Sequence, residues 1–430
     1  TRGGFGHNGN FGADIFLNNF NTITLSGLYQ NSKGNNAALI TYNDFDELDA
    51  HSLQTLRDED EIERKELIEG NFNYRRTFEQ QNRLWTIDLK LMESDDREAS
   101  DIVQTTDTIG DVPILQRYDN AEDESIYLAQ TDYVHPFGSD GRFEIGAKGQ
   151  WRHIENNFIV EEQDETGVWN TVPGFDNLMK YTENIYAAYV IVGNKSGKFS
   201  YQGGVRMEYS DITTELVKTN EINPRDYINF FPSVHLAYEL DSTNMLQLSY
   251  SNRISRPDFW WLLPFFSYND PRNYWSGNPN LNPEYTNSFE LGYLKDFEKG
   301  SFLSTVYYRY RTGVMERITL IDSIGYTKIF PVNLSVQNAF GAEFSFNYEF
   351  TDWWTVITGF NFYRAIATGE YEGIELNSDN YSWTGRVSSK LQLFGDLDAQ
   401  VTFDYRAPET TTQGNNRAMY FLDVGLSVDV

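Results

Sequence analysis

The chain predicts an all-β fold, a transmembrane antiparallel β-barrel of the outer-membrane type. Three observations carry this: long segments with a period of two, an excess of aromatic residues, and short polar turns alternating with longer charged connections. From Ala342 onward Phe344, Phe346, Tyr348 and Phe350 are apolar, while Glu343, Ser345, Asn347 and Glu349 between them are polar. The same alternation runs through Leu397, Ala399, Val401, Phe403 and Tyr405, and through Phe302, Val306, Tyr308 and Tyr310. Successive side chains of a strand point to opposite faces, so each segment has one greasy and one wet side. A soluble strand averages about 5–6 residues, whereas a tilted strand crossing a bilayer needs about 9–11. The alternation here persists for the longer length.

Composition agrees. Aromatic residues make up 16% of the chain, with 28 Tyr and 30 Phe, and barrels collect such rings at the two membrane interfaces. Mean hydropathy is −0.54 and the longest apolar stretches, 185–192 and 259–266, are far too short for helical spans. No Pro/Gly/Ser linker or compositional shift divides the 430 residues, so a single domain is expected. With no cysteine there is neither a disulfide framework nor a thiolate metal site. The formal charge of −29 excludes nucleic acid as a partner, since a phosphate backbone needs a basic surface. Acidic runs at 58–61, 95–101, 122–124 and 161–165 are expected between strands, as a solvated loop rim or a place for divalent cations.

Short turn signals occur at 18–19, 80–82, 138–141, 195–198, 241–244, 298–301, 351–352 and 395–398. Their spacing suits a strand up, a long loop and a strand down. The longer loops are expected at 105–122, 162–180, 214–227 and 257–286. Eight turns joining sixteen strands, plus one strand from 419, give roughly seventeen. The first strand, near 9–17, and the last both run toward the short-turn side. The domain is therefore expected to be incomplete at both ends, with strands preceding and following it. Two unpaired edges are costly in lipid, so the 1–430 chain alone is not expected to insert as a stable barrel. A propeller with this period would need four short strands per repeat, and 141–195 holds only two long ones.

Catalytic motifs are lacking. The Gly4-Phe5-Gly6-His7-Asn8-Gly9 stretch fits a dinucleotide pattern but leads into a strand rather than a helix. The five histidines are scattered without ligand spacing, and no Gly-x-Ser-x-Gly elbow occurs. Neither a metal nor a cofactor is expected. Arg142, Lys148, Arg152, Arg206, Glu208, Arg253, Arg309, Arg311, Arg386 and Arg406 fall on the polar face and read as lumen lining.

The densest segment runs from Asn252 to Tyr293. It contains Ser255-Arg256-Pro257, an aromatic stretch, then Gly277-Asn278-Pro279-Asn280-Leu281-Asn282-Pro283-Glu284, and re-enters a strand at Phe289-Glu290-Leu291-Gly292-Tyr293. Proline rings here remove backbone donors, and Asn278 and Asn282 suit Asx turns, so a packed loop is one reading. An aromatic shelf for ligand capture is the other. The candidate ligand residues are Trp260, Trp261, Phe265, Phe266, Trp275, Arg253, Arg256 and Arg272.

These motifs resemble the signature of TonB-dependent receptor barrels, above all the outer membrane beta-barrel proteins of Bacteroidota. The resemblance extends over essentially the whole chain. It implies a barrel of about 22 strands in the outer membrane of a Gram-negative bacterium, filled by an N-terminal plug. It also implies energised uptake of a small ligand through the TonB complex, with outer-membrane lipid around the wall. Relative to that pattern the plug and the last strands are missing from this sequence. A passive porin-like channel, or a scaffold barrel working with a surface lipoprotein or secretion system, are the alternatives.

Overall fold

A computed structural model describes residues 2–46, 48, 50–264, 268, 270–321, 325–393 and 397–428. The main sheet opens with β1 (Arg2–Asn18), β2 (Asn21–Phe45), β3 (His51–Thr77), β4 (Leu84–Thr106), β5 (Ile114–Phe137) and β6 (Gly141–Gln163). It continues with β7 (Trp169–Ser196), β8 (Phe199–Leu216), β9 (Glu221–Glu239), β10 (Asn244–Ser255), β11 (Glu284–Phe297) and β12 (Gly300–Thr312). The last strands are β13 (Val336–Thr351), β14 (Trp354–Thr368), β15 (Ser378–Gln392), β16 (Leu397–Arg406) and β17 (Met419–Val428). All seventeen belong to one sheet in which each pairs antiparallel with the next in the chain. Among the described residues β1 pairs only with β2, and β17 only with β16. Among the described residues no helix is long and apolar enough to cross a membrane.

The tight turns from β1–β2 through β13–β14 fall where the sequence puts them, on one side of the sheet. Residues 394–396 of the last turn lie outside the described residues. Asn82 takes a φ of 62° in the β3–β4 turn, a conformation asparagine tolerates better than most.

The acidic runs correct the sequence reading. Residues 58–61 lie inside β3, 95–101 inside β4, 122–124 inside β5 and 161–162 inside β6. Three of the expected long loops shrink accordingly, to 107–113, 164–168 and 217–220. Charge density suggested loops, but a barrel strand that outruns the bilayer remains hydrogen-bonded in water, where its faces are free to be polar. β3 has 27 residues and β7 has 28. At about 3.3 Å per residue such strands far exceed a hydrocarbon core of about 30 Å, even when tilted.

Register fixes the two faces. Glu208 of β8 touches Arg256, which follows β10 and lies over the inner face. Across the ladder Glu208 faces Asn229, His235 faces Ser249, Ser249 faces Glu290, Glu290 faces Tyr307, and Tyr307 faces Gly341. Glu343 and Asn347, two and six residues on, therefore point inward, and Phe344 and Phe346 point outward. The same walk through Tyr363, Thr384 and Asp404 turns Gln400 and Asp404 inward and Val401 and Phe403 outward. Outward rings form a ladder across β12–β16: Phe302–Phe344 at 6.3 Å, Phe344–Phe360 at 6.4 Å, Phe360–Trp383 at 5.5 Å and Trp383–Tyr405 at 4.6 Å. Inward charges pair instead, as in Arg152–Glu124 (2.6 Å), Arg206–Glu208 (2.6 Å), Arg311–Glu284 (2.6 Å) and Arg386–Asp404 (2.9 Å). A face of stacked rings suits lipid, and a face of ion pairs suits a hydrated lumen.

Candidate functional site

The connection between β10 and β11, residues 256–283, is the longest of the sheet, and its described residues fold back over the inner face. Its start is pinned by Arg256, whose guanidinium donates to Glu208 and to Ser210 Oγ, both at 2.7 Å. A single helical turn, Phe259–Leu262, then turns Phe259, Leu262 and Leu263 down onto Ile154, Met179, Tyr181, Ile212 and Leu216 of β6–β8. Farther along, Tyr268 packs with Ile102, Tyr118, Phe158 and Val160 of β4–β6. Burying apolar side chains of this size stabilises by about 2 kcal/mol each, so several such contacts hold the excursion down without any ligand.

The excursion then reaches strands far from its roots. Arg57 of β3 is fully buried and donates to the Tyr268 carbonyl at 2.9 Å and to Gln116 Oε1 at 2.6 Å. Tyr42 of β2 donates to Asp270 Oδ1 at 2.6 Å. Arg272 grips the Asp44 carboxylate with both terminal nitrogens, at 2.7 and 3.2 Å, and lies over the Tyr42 ring at 4.3 Å. The Asp44 hydrogen bond, opposed by some burial, holds the Arg272 guanidinium above its ordinary pKa. From roots on β10 and β11 the chain thus crosses the inner face to the outer ends of β2 and β3.

The return leg is built on close backbone approach. Gly277 N donates to the Leu263 carbonyl at 2.7 Å, and Asn278 N to the Trp261 carbonyl at 2.6 Å. A Cβ on Gly277 would sit 2.4 Å from the Leu263 oxygen, so no other residue fits. Asn278 Oδ1 accepts from Asn280 N at 2.9 Å, the expected Asx turn. Asn282 departs from expectation: its backbone N and O bond the Asn333 side chain at 2.8 and 2.9 Å. Asp270, which the sequence did not single out, makes the other Asx turn, accepting from Arg272 N and Asn273 N at 3.1 Å. Residues Asn273–Trp275 pair in parallel with Thr327–Asn333, itself antiparallel to Met315–Ile321, so the β12–β13 connection docks onto the excursion. Thr412 and Gln413, between β16 and β17, bond Glu316 and Thr319 in turn.

The candidate ligand residues divide among these roles. Trp261 and Trp275 flank one cation, the Arg317 guanidinium, 5.1 and 5.6 Å from their rings. Trp260 is 43% exposed beside Phe259 rather than in that stack. Arg256 and Arg272 are the two ionic anchors, and Arg253 is exposed on β10 opposite Thr286. Phe265 and Phe266 lie outside the described residues. Arg57, Tyr42, Asp44 and Arg317 escaped the sequence reading because each is defined by a partner tens to hundreds of residues away.

A family model described as "Outer membrane protein beta-barrel family" matches residues 76–430. The chain belongs to this outer-membrane β-barrel family. No curated protein matches it. Among solved structures the fold is similar to the ferric preacinetobactin receptor BauA from Acinetobacter baumannii, with TM-score 0.57 and 12% identity over 99% of this chain and 71% of that one. It is similar to the copper transporter OprC, with TM-score 0.55 and 11% identity over 98% of this chain and 71% of that one. The ferric yersiniabactin uptake receptor FyuA from Yersinia pestis gives TM-score 0.52 and 11% identity over 99% and 71%. These likenesses establish the shared fold, a large antiparallel β-barrel of the outer-membrane type.

Proposed function

We propose that this barrel is the wall and outer gate of an energised importer, taking up a ligand too scarce or too large for passive diffusion. One observation carries the reading: the 256–283 excursion crosses the inner face and is tied to β2 and β3. Passage from the outer side then requires the tethers to release, which a freely conducting pore has no use for. The uptake receptors and metal transporter that share the fold support the same reading. A plug domain coupled to the TonB complex supplies the energy in this proposal, and the small ligand binds at the outer connections.

Planar-bilayer recording and uptake test it together. The native outer-membrane protein should show little steady conductance, and uptake by cells should stop when a protonophore collapses the proton gradient. A large, constant conductance with protonophore-insensitive uptake would instead indicate a passive channel.

A further inference from the structure

Beneath the excursion the inner wall of β3–β6 carries a side-chain cluster in which hydrogen-bond acceptors outnumber donors. Tyr118 donates to Glu61 Oε2 at 2.9 Å and lies 3.2 Å from Glu98 Oε1. Asn120 Nδ2 donates to Glu98 Oε2 at 3.3 Å, and Asn156 Nδ2 to Asn120 Oδ1 at 2.8 Å. This chain of donors fixes the amide orientations. Because Glu98 accepts, Asn120 must turn its Nδ2 to it and its Oδ1 to Asn156, which leaves Asn156 Oδ1 with no donor. Asn156 is 1% exposed and stands between Ile154, under Phe259 and Leu262, and Phe158, under Tyr268. Its register partner is Glu122, whose Oε2 is also buried without a partner.

Unmet acceptors side by side in a buried site are costly, and a guest that donates would relieve them. Among the described residues Glu61, Glu98 and Glu122 form no salt bridge, while the flanking carboxylates Asp96 and Glu124 are taken by Lys65 (3.2 Å) and Arg152 (2.6 Å). Nor do any three carboxylate or imidazole side chains among the described residues converge as a metal site. The fitting guest is an extended donor rather than a bare ion.

We propose that the cluster of Glu98, Glu122 and Asn156, with its two unpartnered acceptors, binds the ammonium or guanidinium group of a ligand, making the importer selective for organic cations. The proposal rests on the importer reading for its physiological meaning, but binding itself needs neither energy nor transport. A cationic group would donate to Asn156 Oδ1 and Glu122 Oε2 and offset the crowded negative charge.

Calorimetric titration of the native protein in detergent with agmatine tests this, with calcium chloride and sodium citrate as comparison titrants. Saturable agmatine binding is expected, weakened at least tenfold by Glu122→Gln and by Glu98→Gln, with no citrate binding. Heat-modifiable gel migration establishes that the variants are folded, and a variant that fails to assemble leaves the decision to the other. Absent or variant-insensitive agmatine binding overturns the proposal. So does calcium binding that displaces agmatine with the same dependence on both residues, which marks a hard-cation site, or failure of both variants to assemble, which marks a structural cluster. Agmatine binding by a steadily conducting protein would sink the importer reading and keep the cation site.

Discussion

Arg272 and Asp44, 228 residues apart in the chain, meet in a two-pronged ion pair at 2.7 and 3.2 Å that ties the tip of the excursion to the outer end of β2. Asp44 is 39% exposed on its side chain, so solvent screening keeps the pair weak, about 1 kcal/mol or less. That suits a contact meant to break. Arg272→Ala should leave the unfolding transition nearly unmoved while raising hydrogen exchange at residues 270–275. Unchanged exchange there would show that the tether does not hold the tip.

Arg57 is of the opposite kind. It is fully buried and holds the Tyr268 carbonyl and Gln116, with the Tyr268 ring 5.2 Å away. Truncating one partner of a buried charged network typically costs about 3–5 kcal/mol. Arg57→Ala should therefore lower the denaturant midpoint clearly, and more than Arg272→Ala, in detergent-solubilised protein. Equal midpoints for the two variants would contradict the difference in burial.

The strand rhythm, both faces and seven of the eight tight-turn positions, those within the described residues, were legible in the sequence because each is local, set by a period of two or by a few turn residues. Phe344 and Glu343 reveal their faces to any reader of the alternation. Strand ends were not legible: acidic residues such as Glu98 and Glu122 look like loop residues, yet on strands standing clear of lipid they remain in the ladder. The aromatic excursion stood out as a string, but its course did not. What Arg272 or Tyr268 touches depends on which strands the curved sheet brings opposite, and no short-range pattern encodes that.

Gly277 gives a backbone test. A Cβ there would press on both Leu263 N and O and on the Trp261 carbonyl, at 2.7, 2.4 and 2.8 Å. Gly277→Ala should push the return leg away from the helical turn, with protease cleavage appearing in 256–283 and the barrel itself still migrating as folded. An uncleaved Gly277→Ala protein would mean that the close approach is dispensable.

Two turns on opposite sides of the barrel should respond to acid alike. Asp164 accepts from the Thr166 hydroxyl, Val168 N and Asn170, and Asp241 from Thr243 N, Asn244 and the Thr243 hydroxyl. These donors depress both carboxyls to about 2. A depressed folded pKa means the turns are supported above the ordinary carboxylate value of about 4 and lose that support as pH falls through 2. The Thr166 and Thr243 amide resonances should titrate with midpoints near 2. Midpoints near 4 would show the caps unformed.

The excursion's reach across the inner face is the central claim, and the absence of native cysteine makes it directly measurable. Asp44→Cys with Arg272→Cys, in the folded protein in outer membranes, should be joined rapidly by a short bismaleimide. The product should appear as a mobility shift on gels that neither single variant gives. The same pair failing to cross-link while each cysteine is labelled by a monofunctional maleimide would place the excursion away from β2, and the gate with it.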